Sequence, residues 1–178
     1  MRAAPAFLIQ PFPQKVRSAM SGSPFCTRNG WKLFMPPAFR TAYDGLVAEV
    51  DRLAAEKPAD YRTHPKTKLL ARINAIILDE IPADPSHKDY RQGTKLGGQY
   101  KNWFRAKFFK GRFRLFFRFD TASRIIIYCW VNDENTLRKE GARTDPYSVF
   151  AKMLRSGNPP NGWDELAEQV VGPDRKER

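Results

Sequence analysis

Histidine and cysteine each occur only twice in the 178 residues, as His64 and His87 and as Cys26 and Cys129. Two cysteines so far apart do not make a disulfide framework, and a reducing cytoplasm is the expected compartment. His64 falls at the head of a helix and His87 in a loop, so an imidazole acid–base pair is not expected, and both read as structural or solvated. No apolar run approaches the ~20 residues needed to span a bilayer, so no membrane partner is expected. The short apolar patch 6–9 is cut off by Pro5 on one side and Pro11 and Pro13 on the other, which makes a poor secretory signal. Neither a metal nor another cofactor is expected. Asp133 and Glu134 are neighbours and would point to opposite faces of a strand, and no Asp, Glu and His cluster has metal-site spacing. Gly97-Gly98 is a turn signal rather than a phosphate cradle. Acidic residues are also missing from the stretch Lys101 to Arg118, which carries seven Lys or Arg.

That stretch reads KNWFRAKFFKGRFRLFFR, with aromatics interleaved among the cations. Folded as two strands turning at Lys110-Gly111, it sorts itself, because side chains alternate between faces with period two. Phe104, Ala106 and Phe108 share one face of the first strand and Arg105 and Lys107 the other. On the second strand Phe113, Leu115, Phe117 and Phe119 oppose Arg112, Arg114 and Arg118. Packing does not require cations side by side, whereas a phosphate-bearing partner does. A formal charge of +12 agrees with nucleic acid, or an anionic surface, as partner.

Residues 1–28 are rich in Pro, Ser, Ala and Arg without periodicity and read as a disordered extension, with Met20 an alternative start. Residues 29–170 form one domain, and 171–178 a charged tail. A short strand at Trp31–Phe34 leads through Pro36-Pro37 into a helix with Phe39, Tyr43, Leu46, Val50 and Leu53 on its apolar stripe. A second helix starts near Pro65, a long loop covers 82–100, and a third strand, 124–131, follows the two basic ones. Asp145-Pro146 is a cap and first turn for a helix bearing Val149, Phe150, Met153 and Leu154, and a short amphipathic turn runs from Trp163 to Val170. The expected fold is α+β, an antiparallel sheet with two N-terminal helices on one face and a C-terminal helix beyond. The other face is expected to stay open, bearing Arg105, Lys107, Arg112, Arg114, Arg118, Tyr128 and Trp130.

Such a face suits RNA. Guanidinium groups bond phosphate in pairs, and aromatic planes stack on unpaired bases. Lys101, Arg118, Tyr128, Trp130 and Asn132 are the candidate RNA-binding residues. If the face also cuts RNA, Arg105, Lys107, Arg114 and Arg112 are the candidate catalytic residues. Packed cations lower one another's proton affinity, so Lys107 could exchange a proton, while arginine stabilises charge.

The frames WFRAKF-x-x-GRFRLFFRF (103–119), NDENTLR (132–138) and TDPYSVFAKML (144–154), with NGWKLF (29–34) and TAYDGLVAEV (41–50), resemble the YhaV-type toxins of bacterial type II toxin–antitoxin systems. The resemblance runs from about Gly30 to about Leu166. It implies a RelE-like fold and a metal-independent endoribonuclease that cleaves mRNA during translation, at the ribosome, and arrests growth. It also implies a PrlF-type antitoxin with an AbrB-like domain, and autoregulation of the operon by the pair on operator DNA. By motif the functional cations fall on Arg105, Lys107 and Arg114, with Arg112 and Arg118 less directly matched. RelE proper has a basic residue and a tyrosine near the last strand, where this chain has Asn132 to Asn135. Arg138 and Tyr147, or Asp133 and Glu134, are the candidates for those roles. The alternatives from other classes are a non-catalytic co-repressor that only binds nucleic acid, and a binder of anionic surfaces. For NDENTLR the competing reading is a hydrogen-bonded turn that closes the sheet.

Overall fold

The computed structural model describes residues 22–171. Strand β1 (Cys26–Arg28) and strand β2 (Trp31–Phe34) form a tight hairpin ahead of helix α1 (Pro37–Glu56). Helix α2 (Pro65–Ala75) continues through a π-helical turn, Ile76–Glu80, into the single turn α3 (Ile81–Ala83). Strands β3 (Phe104–Phe108), β4 (Phe113–Asp120) and β5 (Ile125–Val131) make the meander, and helices α4 (Pro146–Arg155) and α5 (Trp163–Val171) close the chain. The sheet order is β1-β2-β5-β4-β3. Among the described residues no helix is long and apolar enough to cross a membrane.

The expected α+β class holds, with three differences. Residues 22–28, assigned above to the disordered extension, include β1, and Phe25 is buried beneath it. The rest of that extension and the end of the tail lie outside the described residues. Strand β2 pairs parallel to β5, so the sheet is mixed rather than antiparallel. The third difference matters most: both faces of the sheet are covered. Helices α1 and α2, with the π-helical turn that continues α2, pack Phe39, Tyr43, Ile73 and Ile77 on Leu33, Leu115, Phe117 and Ile126. On the opposite face α4 and α5 pack Tyr147, Phe150, Leu154 and Leu166 on Phe34, Phe116, Ile127 and Cys129. The ring of Phe116 stacks on that of Phe150 at 4.3 Å. The open plate expected from the cation pattern is therefore roofed by α4 over much of its length.

A bulge in β5 explains one misplaced residue. Phe116 pairs with Trp130 but Phe117 with Tyr128, so Cys129 is the extra residue. Trp130 stays on the α4 side, half-buried and stacked on Phe150 at 5.8 Å. Tyr128 goes to the α1–α2 side, fully buried, with its hydroxyl donating to the Ile77 carbonyl at 2.7 Å. It does not belong among the base-stacking candidates. Tyr128→Phe is expected to cost about 1 kcal/mol, or a few degrees of melting temperature, and to leave catalytic rate unchanged. Thermal denaturation and a cleavage assay on the same preparation check both halves.

Both histidines close helical turns. His64 Nδ1 accepts from Lys66 N at the start of α2, and His87 Nδ1 from Asp89 N, each at 3.2 Å.

Candidate active site

In the β3–β4 ladder Lys107 lies opposite Arg114, and Arg105 opposite Phe116. The same-face rule then points Arg105, Lys107 and Arg114 towards α4. Asp145 caps α4 by accepting from Tyr147 N at 3.0 Å, and Pro146 fills the first helical position, where its missing N–H costs nothing. This start sets Tyr147 over the two arginines. Its hydroxyl oxygen accepts from Arg105 Nε at 2.8 Å and Arg114 Nε at 3.2 Å. Both lone pairs are thus occupied, and the hydroxyl proton has no acceptor among the described residues.

Arg138 completes the group. Its guanidinium carbon lies 5.3 Å from the centre of the Tyr147 ring, and that of Arg114 lies 5.5 Å from it. Three guanidinium groups therefore surround one phenol. Each is held by further contacts. Arg105 Nη1 donates to the Asp89 carbonyl at 2.5 Å. Arg114 Nη1 donates to the carbonyls of Gly111 and Phe113. Arg138 donates to the Asp145 carboxylate, whose same oxygen also accepts from Lys139 N. Fixing these long side chains in advance removes their ordering cost when an anion arrives.

Asp145 is the one buried acid in this group, and Glu140 at its rim is exposed. Arg105, Arg114, Arg138, Lys107 and Arg112 outnumber the two, so the site carries net positive charge. Arg105 and Arg114 are recessed, at 8% and 6% exposure, while Lys107 and Arg112 stand in solvent. The arrangement is a deep pair of guanidiniums with a hydroxyl between them and a shallow rim, Lys107 and Arg112, exposed outside.

Of the candidates from the sequence, Arg105, Arg114, Arg138 and Tyr147 come into contact, with Lys107 and Arg112 beside them. The others do not join. Arg118 is buried between Trp103 and Trp163, at 5.2 and 5.7 Å from their ring centres, and donates to the Asn161 carbonyl at 2.7 Å. Burial lowers its proton affinity. It lies four residues along β4 from Arg114, about 13 Å at the usual rise, and fastens the C-terminal segment. Asn132 is also buried, accepting from Arg114 N at 2.6 Å and donating to the carbonyls of Arg112 and Thr136. Asp133 closes its own turn by accepting from Asn135 N and Thr136 Oγ1, each at 2.9 Å, and Glu134 is exposed beside it. NDENTLR is thus a hydrogen-bonded turn that delivers Arg138. Trp130 is stacked beneath α4, and Lys101 is exposed in the turn before β3.

The sequence reading valued Asp145 only as a helix cap. The second role of its carboxylate had a signal in the basic Arg138-Lys139 pair just upstream, but only the fold brings that pair back onto the cap.

The family model for a toxin with endonuclease activity, of a toxin–antitoxin system, matches residues 33–171. The chain belongs to the YhaV toxin family. The ribonuclease toxin YhaV of Escherichia coli K12 is 44% identical over 160 residues, which is 89% of this chain and 96% of that protein. The toxin YhaV of Escherichia coli O157:H7 shows the same identity and coverage. No solved structure matches the chain significantly. All residues of the Arg–Tyr–Arg cluster fall within the matched span, so the endonuclease activity and the arrangement described here occupy the same domain. As a member of a toxin–antitoxin system, this YhaV-family chain has an antitoxin as its partner.

Proposed function

We propose that the chain is a metal-independent endoribonuclease that cuts mRNA during translation, on a RelE-like fold, and arrests growth. The observation that carries this reading is the Tyr147 hydroxyl held between Arg105 and Arg114. RNA cleavage by the ribose 2′-OH needs that oxygen aimed at the phosphorus, the phosphate charge neutralised and the departing 5′-oxygen protonated. In this reading Arg105 and Arg114 bind the non-bridging oxygens, and Tyr147 donates its uncommitted proton to the 5′-oxygen. Lys107, opposite Arg114, takes the 2′-OH proton. The products are a 2′,3′-cyclic phosphate and a 5′-hydroxyl. Arg138 sits over the tyrosine ring and stabilises the anion left on it. Arg112 and Lys101, both exposed, guide the strand inward. Guanidinium groups here supply the charge stabilisation that a metal supplies elsewhere, and among the described residues no three His, Cys, Asp or Glu side chains gather as a metal site would need.

A PrlF-type antitoxin with an AbrB-like domain is the proposed partner. An acidic segment of it would compete for the phosphate positions at Arg105, Arg112 and Arg114 or deform their strands, and the pair would bind operator DNA to repress their own operon. The test is to incubate purified protein with mRNA, free and on translating ribosomes, in excess chelator, and to analyse the ends. Chelator-resistant cutting with cyclic-phosphate ends is expected. Cutting abolished by chelator, or cutting of DNA alone, overturns the reading. Affinity for the uncut strand is expected to fall with salt, by roughly 0.7 in log K per log unit of salt for each phosphate neutralised.

A further inference from the structure

The turn between β3 and β4 carries a feature that the catalytic group does not use. Phe109, Lys110 and Gly111 all adopt left-handed backbone, with φ of 48°, 55° and 77°. Glycine takes that conformation freely, but phenylalanine and lysine do so at a cost. Strain of this kind persists where the surrounding structure enforces it, and it concentrates at binding sites. Its effect is to place the Phe109 ring at the hairpin tip, 38% exposed; Val171 is the one other large apolar side chain so exposed among the described residues. The ring is propped rather than buried, lying edge-on to Phe113 at 5.9 Å and tilted against Phe108 at 5.5 Å. Next to it in the hairpin Lys110 and Arg112 are exposed, and neither has an ion-pair partner among the described residues. The tip is also wired to the catalytic group, because Arg114 donates to the carbonyls of Gly111 and Phe113.

We propose that Phe109 is a base-stacking residue: its ring receives an unpaired nucleobase of the RNA whose phosphates lie against Lys110 and Arg112. An exposed aromatic plane with unpaired cations beside it in the same turn has the composition of a single-strand platform, in which stacking holds the base and the cations track the backbone. A protein partner would gain from the ring and the cations as well, so antitoxin affinity is measured beside RNA affinity; the tie of the tip to Arg114 favours the RNA. Because the tip is bonded to Arg114, the stacked base sits next to the phosphate being cut and helps to set which phosphate enters. The proposal rests on RNA being the substrate.

The experiment measures binding of a single-stranded 2′-O-methyl RNA oligonucleotide, which lacks the attacking hydroxyl and is not consumed, by fluorescence anisotropy. Wild type is compared with Phe109→Ala, Phe109→Gly and Phe109→Trp. Glycine suits the left-handed backbone, so that variant separates loss of the ring from misfolding, with melting temperature as the control. Alanine and glycine are expected to weaken binding about tenfold, and tryptophan to retain it. A scan with single abasic positions is expected to find one at which wild type loses about tenfold and Phe109→Ala loses nothing further, the mark of coupled partners. Equal binding by all variants, or abasic losses that are the same in wild type and Phe109→Ala at every position, overturns the proposal. So does a Phe109→Ala that loses antitoxin affinity but keeps RNA affinity. If wild type neither binds nor cuts RNA, the reading of the substrate has failed and this proposal falls with it. If wild type cuts RNA while Phe109→Ala binds normally, this proposal alone falls.

Discussion

Arg114→Ala is expected to cleave RNA about 10³-fold more slowly than wild type under single-turnover conditions, the range seen when one fixed charge stabiliser is removed from a phosphoryl or acyl transfer site. No other side chain of the group bonds both the Tyr147 hydroxyl and the hairpin carbonyls. In the proposed reaction its loss removes positive charge where the phosphorane builds negative charge. It also frees Tyr147 from one of the two donors that aim it. Arg114→Lys is expected to remain at least about 10²-fold slow, because an ammonium keeps the charge but not the planar fork that reaches both partners. Melting curves separate this from simple unfolding, since the lysine variant keeps most of the packing along β4. A rate for Arg114→Ala within threefold of wild type would falsify the assignment of the catalytic group.

Asp145→Ala carries the largest expected loss of stability, about 3 kcal/mol, because it removes the buried acceptor of one guanidinium and two backbone N–H groups and leaves Arg138 only the exposed Glu140. The side chain is 2% exposed and accepts from Arg138, Lys139 N and Tyr147 N together. The α4 cap goes with it, itself worth about 1 kcal/mol. For a domain of this size such a loss lowers the melting temperature by about 10 °C or more. Activity is expected to fall as well, since the same carboxylate fixes the first turn that carries Tyr147. Asp145→Asn discriminates between these contributions: asparagine caps helices well, so it should recover the helix start but not the ion pair. An Asp145→Ala protein that melts within two degrees of wild type would show that the turn is held by something else.

Much of this was legible from alternation and spacing alone. The apolar faces of β3 and β4, the stripe of α1 and the Asp145-Pro146 start of α4 are local patterns, each decided by neighbours within a few residues. Arg105, Arg114, Arg138 and Tyr147 were named as candidates from the cation pattern and the family resemblance. That three of them converge on the fourth is a product of the fold. What escaped was decided by distant pairing. The sequence of α4 announces an amphipathic helix but not which surface it covers, so the cation-bearing face looked open. The extra residue at Cys129 exists only relative to β4, which is why Tyr128 and Trp130 seemed to share a side. Strand β1 has three residues and is recognisable only through its partner β2.

The mounting of α4 has its own consequence. At one end Tyr147 is tied to Arg105 and Arg114. Beyond the other, Asn161 accepts from both Trp103 and Arg118 while Trp163 lies over the latter. The start of the helix and the segment that follows its end are thus both tied to the strands. A binder that gripped the 158–163 segment would therefore engage the second of these ties while leaving Arg105 and Arg114 uncovered.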